Sequence, residues 1–306
     1  MNYVLQTFGL TKKYGRKNAV DGVDMKISRG DIYGFVGENG SGKTTVIRLV
    51  TGLIHANSGY FELFGADSRS PEVNSARKKL GAIVETPSIY RNMSARENLR
   101  MQSTILGIEN EARITEVLET VGLGGVANEK KQAGNFSLGM RQRLGIAMAL
   151  LGEPEFIILD EPMNGLDPAG IVEMRELILR LNREKNMTFL ISSHILTELS
   201  LVATKYGVIS SGKLIKEITA EELKAECGKF ICIEAENNTA LEALLKTLLP
   251  ENEVVTDSKG VMVKGDADID AVLRAVIASE NRIKSVNCSD IGFEEYYLEL
   301  LGGERK

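Results

Sequence analysis

Up to about residue 217 the chain alternates short apolar runs with stretches of helical apolar spacing, the rhythm of an α/β protein. DIYGFVG (31–37) reads as a buried strand from its length and flanking residues, and TTVIRLVTGLI (44–54) continues as a helix. GAIVE (81–85), EFIILDEP (155–162), MTFLISSH (187–194) and KYGVISSG (205–212) each read as a strand with a polar or Gly-rich end. Open α/β sheets bind their ligands at such carboxyl ends. Between Thr86 and Gly152 the strand pattern stops. The segments 94–107 and 109–123 carry helical spacing, which predicts a helical insert over about 86–152.

Beyond residue 218 the rhythm changes. KFICIEA (229–235) reads as a strand and TALEALLKTLL (239–249) as a helix. EVVTD (253–257) and GVMVKGD (260–266) read as two strands, DIDAVLRAVIASE (268–280) as a helix, and RIKSVNCSD (282–290) as a strand. The order βαββαβ predicts a small α+β, ferredoxin-like domain over 218–306 after a larger one over 1–217. An amphipathic segment over 292–303 closes the chain.

Composition narrows the classes of function. With 306 residues, 43% apolar, 26% charged and a net charge of -5, the chain is not a mainly electrostatic nucleic-acid binder. No apolar run reaches bilayer length, and the first fifteen residues lack a secretory pattern, so the expectation is a cytosolic protein free to dock on a membrane partner. Cys227, Cys232 and Cys288 suit neither a disulfide framework nor a zinc site, and read as small core or half-buried residues.

The chemistry begins at GENGSGKTT (37–45), which fits G-x-x-x-x-G-K-[ST] between a strand and a helix. Gly37, Gly40 and Gly42 let backbone N–H groups turn onto phosphate oxygens, and Asn39, Ser41 and Thr45 belong to the same loop. Lys43 reaches the β- and γ-phosphates, and Thr44 offers its hydroxyl to Mg²⁺. EFIILDEP delivers Asp160 and Glu161 to a strand end, where the first serves the metal and the second acts as general base. A solvated strand end would read the same in isolation; the phosphate loop favours the chemical reading. His194 ends another strand, placed to contact the γ-phosphate and orient a water, or to act as a cap. FSLGMRQRL (136–144) sets Ser137 and Gly139 before a helix N-terminus, a second anion-reading element far from the first.

Taken in order, these residues resemble the nucleotide-binding subunits of ATP-binding cassette (ABC) transporters. The resemblance covers residues 3–217 and rests on the phosphate loop, FSLGM in the place of the LSGGQ signature, FIILDEP, NGLD (164–167) and His194. It implies a P-loop NTPase (RecA-like) core with an antiparallel β N-terminal part and a helical insert. ATP and Mg²⁺ are then the cofactors. Tyr14 falls where the family stacks an aromatic on adenine, although a core aromatic would give the same letters. The signature belongs to the opposite protomer, so Ser137 and Gly139 would contact ATP held by a second subunit, in the simplest case a homodimer, with Asp167 linking the two sites. The family usually has glutamine where Glu85 stands; the carboxylate can still ligate Mg²⁺ but cannot donate a hydrogen bond. Glutamate there is similar to the bacitracin and lantibiotic self-protection exporters. The segment 86–99 is where the family meets its membrane permease, with Ile89, Tyr90 and Met93 as contacts, ahead of a capping box formed by Ser94 and Glu97.

The function implied is an ATPase on the inner face of the cell membrane that energises export of a peptide antibiotic or other hydrophobic compound. The alternative is a soluble cassette ATPase acting on ribosomes or DNA, although no nucleic-acid partner is expected. In a third reading the C-terminal domain senses a ligand and adds regulation.

Overall fold

The computed structural model describes residues 3–108, 110–127, 129–227, 229–250, 252–257, 260–264, 267–278, 281–290, 296, 297 and 300. They form two compact units, Met1–Ala220 and Glu221–Lys306. The strands of the first are β1 (Tyr3–Tyr14), β2 (Lys17–Val23), β3 (Lys26–Ser28), β4 (Ile32–Val36), β5 (Ser58–Leu63), β6 (Ala66–Asp67), β7 (Leu80–Ile83), β8 (Phe156–Asp160), β9 (Thr188–Ser193), β10 (Lys205–Ser210) and β11 (Lys213–Thr219). Its helices are α1 (Lys43–Thr51), α2 (Val73–Arg77), α3 (Ala95–Leu106), α4 (Glu111–Thr120), α5 (Leu138–Leu150), α6 (Pro168–Lys185) and α7 (Leu196–Ser200).

The central sheet runs β11-β10-β4-β9-β8-β7, parallel except for the β10–β11 hairpin. Every residue of β4, β8 and β9 is buried, which is why these strands are continuous apolar runs rather than alternating ones. Their carboxyl ends lie side by side, so whatever follows Val36, Asp160 and Ser193 shares one edge of the sheet. The second sheet is antiparallel, ordered β2-β1-β5-β6 with β3 on β1. Val4, Leu5, Leu10, Phe61 and Leu63 from it pack in one core with Phe35, Val46 and Ile47, seating α1 between the two sheets.

The insert after β7 is helical, as its spacing predicts. Ser94 accepts from the Glu97 N–H while the Glu97 carboxylate accepts from the Ser94 N–H, the reciprocal capping box, and Gly107 closes α3 in the left-handed region. Asn98, fully buried, holds the segment just before this helix: its side chain accepts from Tyr90 N at 2.7 Å and donates to Tyr90 O at 3.0 Å.

After α8 (Ala220–Cys227), the second unit is β12 (Lys229–Ala235), α9 (Asn238–Leu248), β13 (Glu253–Asp257), β14 (Gly260–Lys264), α10 (Ile269–Ala278) and β15 (Ile283–Asp290). The antiparallel sheet order β13-β14-β12-β15 is that of a ferredoxin-like module. Ile231 and Ile233 alternate with outward residues and pack on Leu241, Leu245, Val272 and Val276 of the two helices. Cys232 is half-buried on the other face. The closing segment 292–303 lies outside the described residues apart from 296, 297 and 300.

Candidate nucleotide site

The loop leaving β4 turns so tightly that side chains are excluded. A Cβ at Gly37 would lie 2.4 Å from Ile209 O, and one at Gly42, where φ is 116°, would lie 2.5 Å from Ala19 O. Lys43 opens α1 with its side chain buried, and its Nζ donates to Gly37 O at 2.6 Å and Glu38 O at 3.2 Å. The same ammonium is 3.5 Å from Glu161 Oε1. Thr44 Oγ1 donates to Asp160 Oδ2 at 2.9 Å.

Asp160 ends β8, 2% exposed, and its other oxygen accepts from Ser192 Oγ at 2.5 Å. The strand stops there because Glu161 adopts φ 52°, a conformation that swings the next side chain back into the same cleft. Its Oε2 lies 2.6 Å from His194 Nδ1, so Glu161 sits between the phosphate-loop lysine and the histidine after β9. The sequence places Asp160, Glu161, His194, Lys43 and Thr44 on three strand ends, and the fold brings these five together. Ser192 is the member that sequence reading missed; the signal was a polar pair, Ser192 and Ser193, at the end of an apolar strand.

The loop fits a phosphate. Among the described residues Ser41 Oγ is buried with no hydrogen-bond partner, and the buried Lys43 ammonium has one ion pair, with Glu161. A cavity of about 150 Å³ opens next to it, lined by Lys17, Asn18, Asn39, Gly40, Ser41 and Ser211 among others. Thr45 is half-buried on α1. Tyr14, at the end of β1, is 49% exposed with the Lys12 ammonium 5.5 Å from its ring centre. It is therefore not a core aromatic.

Three further residues stand apart. Glu85, at φ 63°, is ion-paired with Arg48 of α1, and among the described residues no hydrogen bond or ion pair joins it to Thr44 or Asp160. Ser137 caps α5, accepting from Met140 N at 3.2 Å, and Gly139 lies in the first turn. Leu138 and Leu166 bring this helix start against Gly165 and the Asp167 cap of α6. Among the described residues no hydrogen bond or ion pair joins Ser137 or Gly139 to the phosphate loop.

Comparison with known proteins gives the family. The ABC transporter family model matches residues 20–164. The chain is 41% identical to the bacitracin transport ATP-binding protein BcrA of Bacillus licheniformis, over 99% of both chains. The chain belongs to the ABC transporter family. This ABC protein is also 42% identical to the lantibiotic transport ATP-binding protein SrtF of Streptococcus pyogenes, over 70% of its own length and 90% of the relative's. Its fold matches that of the ATP-binding cassette MJ0796, solved as a dimer with ADP and Pi, at a TM-score of 0.63 and 22% identity, covering 71% of this chain and 98% of that one. Family membership makes the chain an ATP-binding ATPase. Among the described residues, no helix of this ABC protein is long and apolar enough to cross a membrane.

Proposed function

We propose that this chain hydrolyses ATP at the cleft formed by β4, β8 and β9, and so drives a membrane exporter for a peptide antibiotic or another hydrophobic compound. The observation that carries the site is the convergence of Lys43, Glu161 and His194 beside the Thr44–Asp160 pair. Lys43 holds the β- and γ-phosphates as a point charge, with the loop N–H groups and Ser41 Oγ around them. Glu161 takes the proton of the attacking water, and His194 fixes the carboxylate's direction through the 2.6 Å contact. Tyr14 offers its open face to the adenine.

Thr44 and Asp160 would hold Mg²⁺, and their hard oxygen atoms suit that ion. Mg²⁺ is usually held by one or two protein oxygens together with substrate phosphates and water. When bound it neutralises charge on the phosphates. Among the described residues no hydrogen bond or ion pair joins Ser137 or Gly139 to the chain's own phosphate loop, and the MJ0796 cassette is dimeric; in this reading a second subunit completes each site.

Glu85 joins the site as a metal ligand only by leaving Arg48. Glu85→Gln is expected to hold ATP affinity within a few-fold and to change turnover or its coupling to transport. Both side chains of the pair are exposed, so stability should hardly move. A large loss of ATP binding in a fluorescence titration would overturn this role.

The cargo class follows from the likeness to BcrA over 99% of both chains and the likeness to SrtF, neither of which favours the ribosome or DNA alternative. The permease surface is a groove of about 450 Å³ that includes Leu53, Thr86, Pro87, Leu106 and Met148, beside exposed Tyr90 and Ile105. Ile89 and Met93, which follow Pro87 and Ser88 of the lining in the chain, are half-buried. The chain would then work on the cytoplasmic face of the membrane. The test is co-purification from solubilised membranes with Glu161→Gln and ATP. A polytopic membrane protein should be retained, and lost when Leu106 and Tyr90 are also replaced by Asp. Recovery of only ribosomal or nucleic-acid partners would overturn the transporter reading.

A further inference from the structure

Ser192 lies near the end of β9, between β4 and β8, where the register pairs it with Phe35 on one side and Asp160 on the other. It is fully buried and follows the apolar run Phe189, Leu190, Ile191. A hydroxyl contributes nothing to such a strand by packing, and burying it is unfavourable unless it is hydrogen-bonded.

Here its bonding is complete and its polarity is forced. The Glu161 N–H can only donate, so Ser192 Oγ accepts from it, at 3.0 Å. The single hydroxyl proton then goes to Asp160 Oδ1, at 2.5 Å. The Ser192 carbonyl accepts from the same Glu161 N–H at 3.2 Å. Asp160 is thus clamped between two hydroxyls, Ser192 on one oxygen and Thr44 on the other.

The second half of the clamp concerns backbone shape. Successive residues of a strand face opposite ways, so a strand running on through residue 161 would send Glu161 away from Asp160. At φ 52° it turns back towards Lys43 and His194. A residue with a side chain is unfavourable there and persists only when its surroundings over-determine it. The Glu161 N–H, held by both oxygens of Ser192, is one such determinant, beside the Asn164 N–H that donates to Glu161 O at 3.1 Å.

We infer that Ser192 is a positioning residue for hydrolysis: one hydroxyl orients the carboxylate of Asp160 and holds the backbone of Glu161 in the turn that aims the general base. This rests on the function proposed above, and it touches neither substrate nor metal. The closest role by chemistry is that of a group that orients metal ligands from behind, where substitutions typically reduce affinity or activity about 10- to 100-fold.

The experiment compares Ser192→Ala and Ser192→Thr with wild type by steady-state turnover, fluorescent-nucleotide binding, melting, and amide exchange of the peptide spanning 156–164. Ser192→Ala should lose turnover by about 10- to 100-fold with nucleotide affinity within a few-fold and a single intact melting transition. Its 156–164 peptide should exchange faster without nucleotide, and Ser192→Thr should restore both readouts. Wild-type turnover in Ser192→Ala would overturn the inference. So would parallel losses of turnover and nucleotide binding, or no recovery with threonine; either assigns Ser192 to packing. Should the wild-type chain itself lack ATP turnover, the proposed function fails, while the exchange comparison still decides whether Ser192 holds Glu161.

Discussion

Replacing Glu161 by Gln is expected to reduce ATP turnover by about 100-fold or more, the lower bound of what a positioned general base contributes. The substitution keeps the shape and most contacts: an amide fits between Lys43 and His194 and can still hydrogen-bond to the imidazole. What it cannot do is take a proton from water. Nucleotide binding should persist, because the loop, Lys43 and Ser41 are untouched. Removing the carboxylate 3.5 Å from the Lys43 ammonium leaves that cation without its internal anion, which favours a phosphate in its place. Phosphate release measured beside fluorescent-nucleotide titration separates the two effects. Size exclusion with ATP should show a dimer that wild type does not accumulate. Turnover close to wild type would move the base role to another group, and lost nucleotide binding would mean that Glu161 shapes the loop.

The parts of this molecule that the sequence announces are those whose signal is local. β4, β8 and β9 are buried on both faces, so they stand out as apolar runs between Gly-rich and acidic ends. The ferredoxin-like module shows itself through period-two strands and amphipathic helices. The antiparallel N-terminal sheet came only through family resemblance. β1 buries Thr7, whose hydroxyl bonds Val23 O and Met25 N, and its register with β5 shifts between Phe8 and Thr11, around Gly9 at φ 55°, so its alternation is hidden. The expected strand 155–162 ends early at Asp160, because Glu161 leaves the extended region.

In the site, Lys43, Thr44, Asp160, Glu161 and His194 were legible since each belongs to a short local motif at or after the end of β4, β8 or β9. The pairing of Glu85 with Arg48 was not, because nothing in either segment names the other. Ser192 was hidden for a related reason. Its partners come from β8, and only the sheet register puts them opposite it. Contacts across strands are properties of register, and register is not written in any one strand.

Gly207→Ala is expected to destabilise the first unit by about 3 kcal/mol or more, the upper range for overpacking a core. By the usual scaling for a unit of this size, that lowers its melting temperature by about 6–12 °C. Gly207 is in mid-strand on β10, paired with Phe35 of β4 and Glu217 of β11. A Cβ there would sit 2.0 Å from Tyr33 Oη, 2.7 Å from Cζ and 2.8 Å from Cε1. Tyr33 has nowhere to go. It is fully buried, its hydroxyl donates to Glu217 Oε1 at 2.8 Å, and the Lys205 ammonium lies 5.7 Å from its ring centre. Burial, with the Glu217 charge next, pushes the phenol well above its ordinary pKa, so it stays a neutral donor across the working pH range. Tyr33 also stands on β4, four residues before Gly37, so any shift that admits the methyl group is passed to the phosphate loop. A second substitution isolates the clash. Tyr33→Phe alone should lose about 1 kcal/mol for its hydrogen bond, with Glu217 still bonded to Lys26 N. Combined with Gly207→Ala it should cost less than the sum, because the nearest clashing atom is gone; residues in contact depart from additivity in this way. Thermal melts of the two single variants and the double variant measure it, and strict additivity would show that the methyl group is resisted by something other than the Tyr33 hydroxyl.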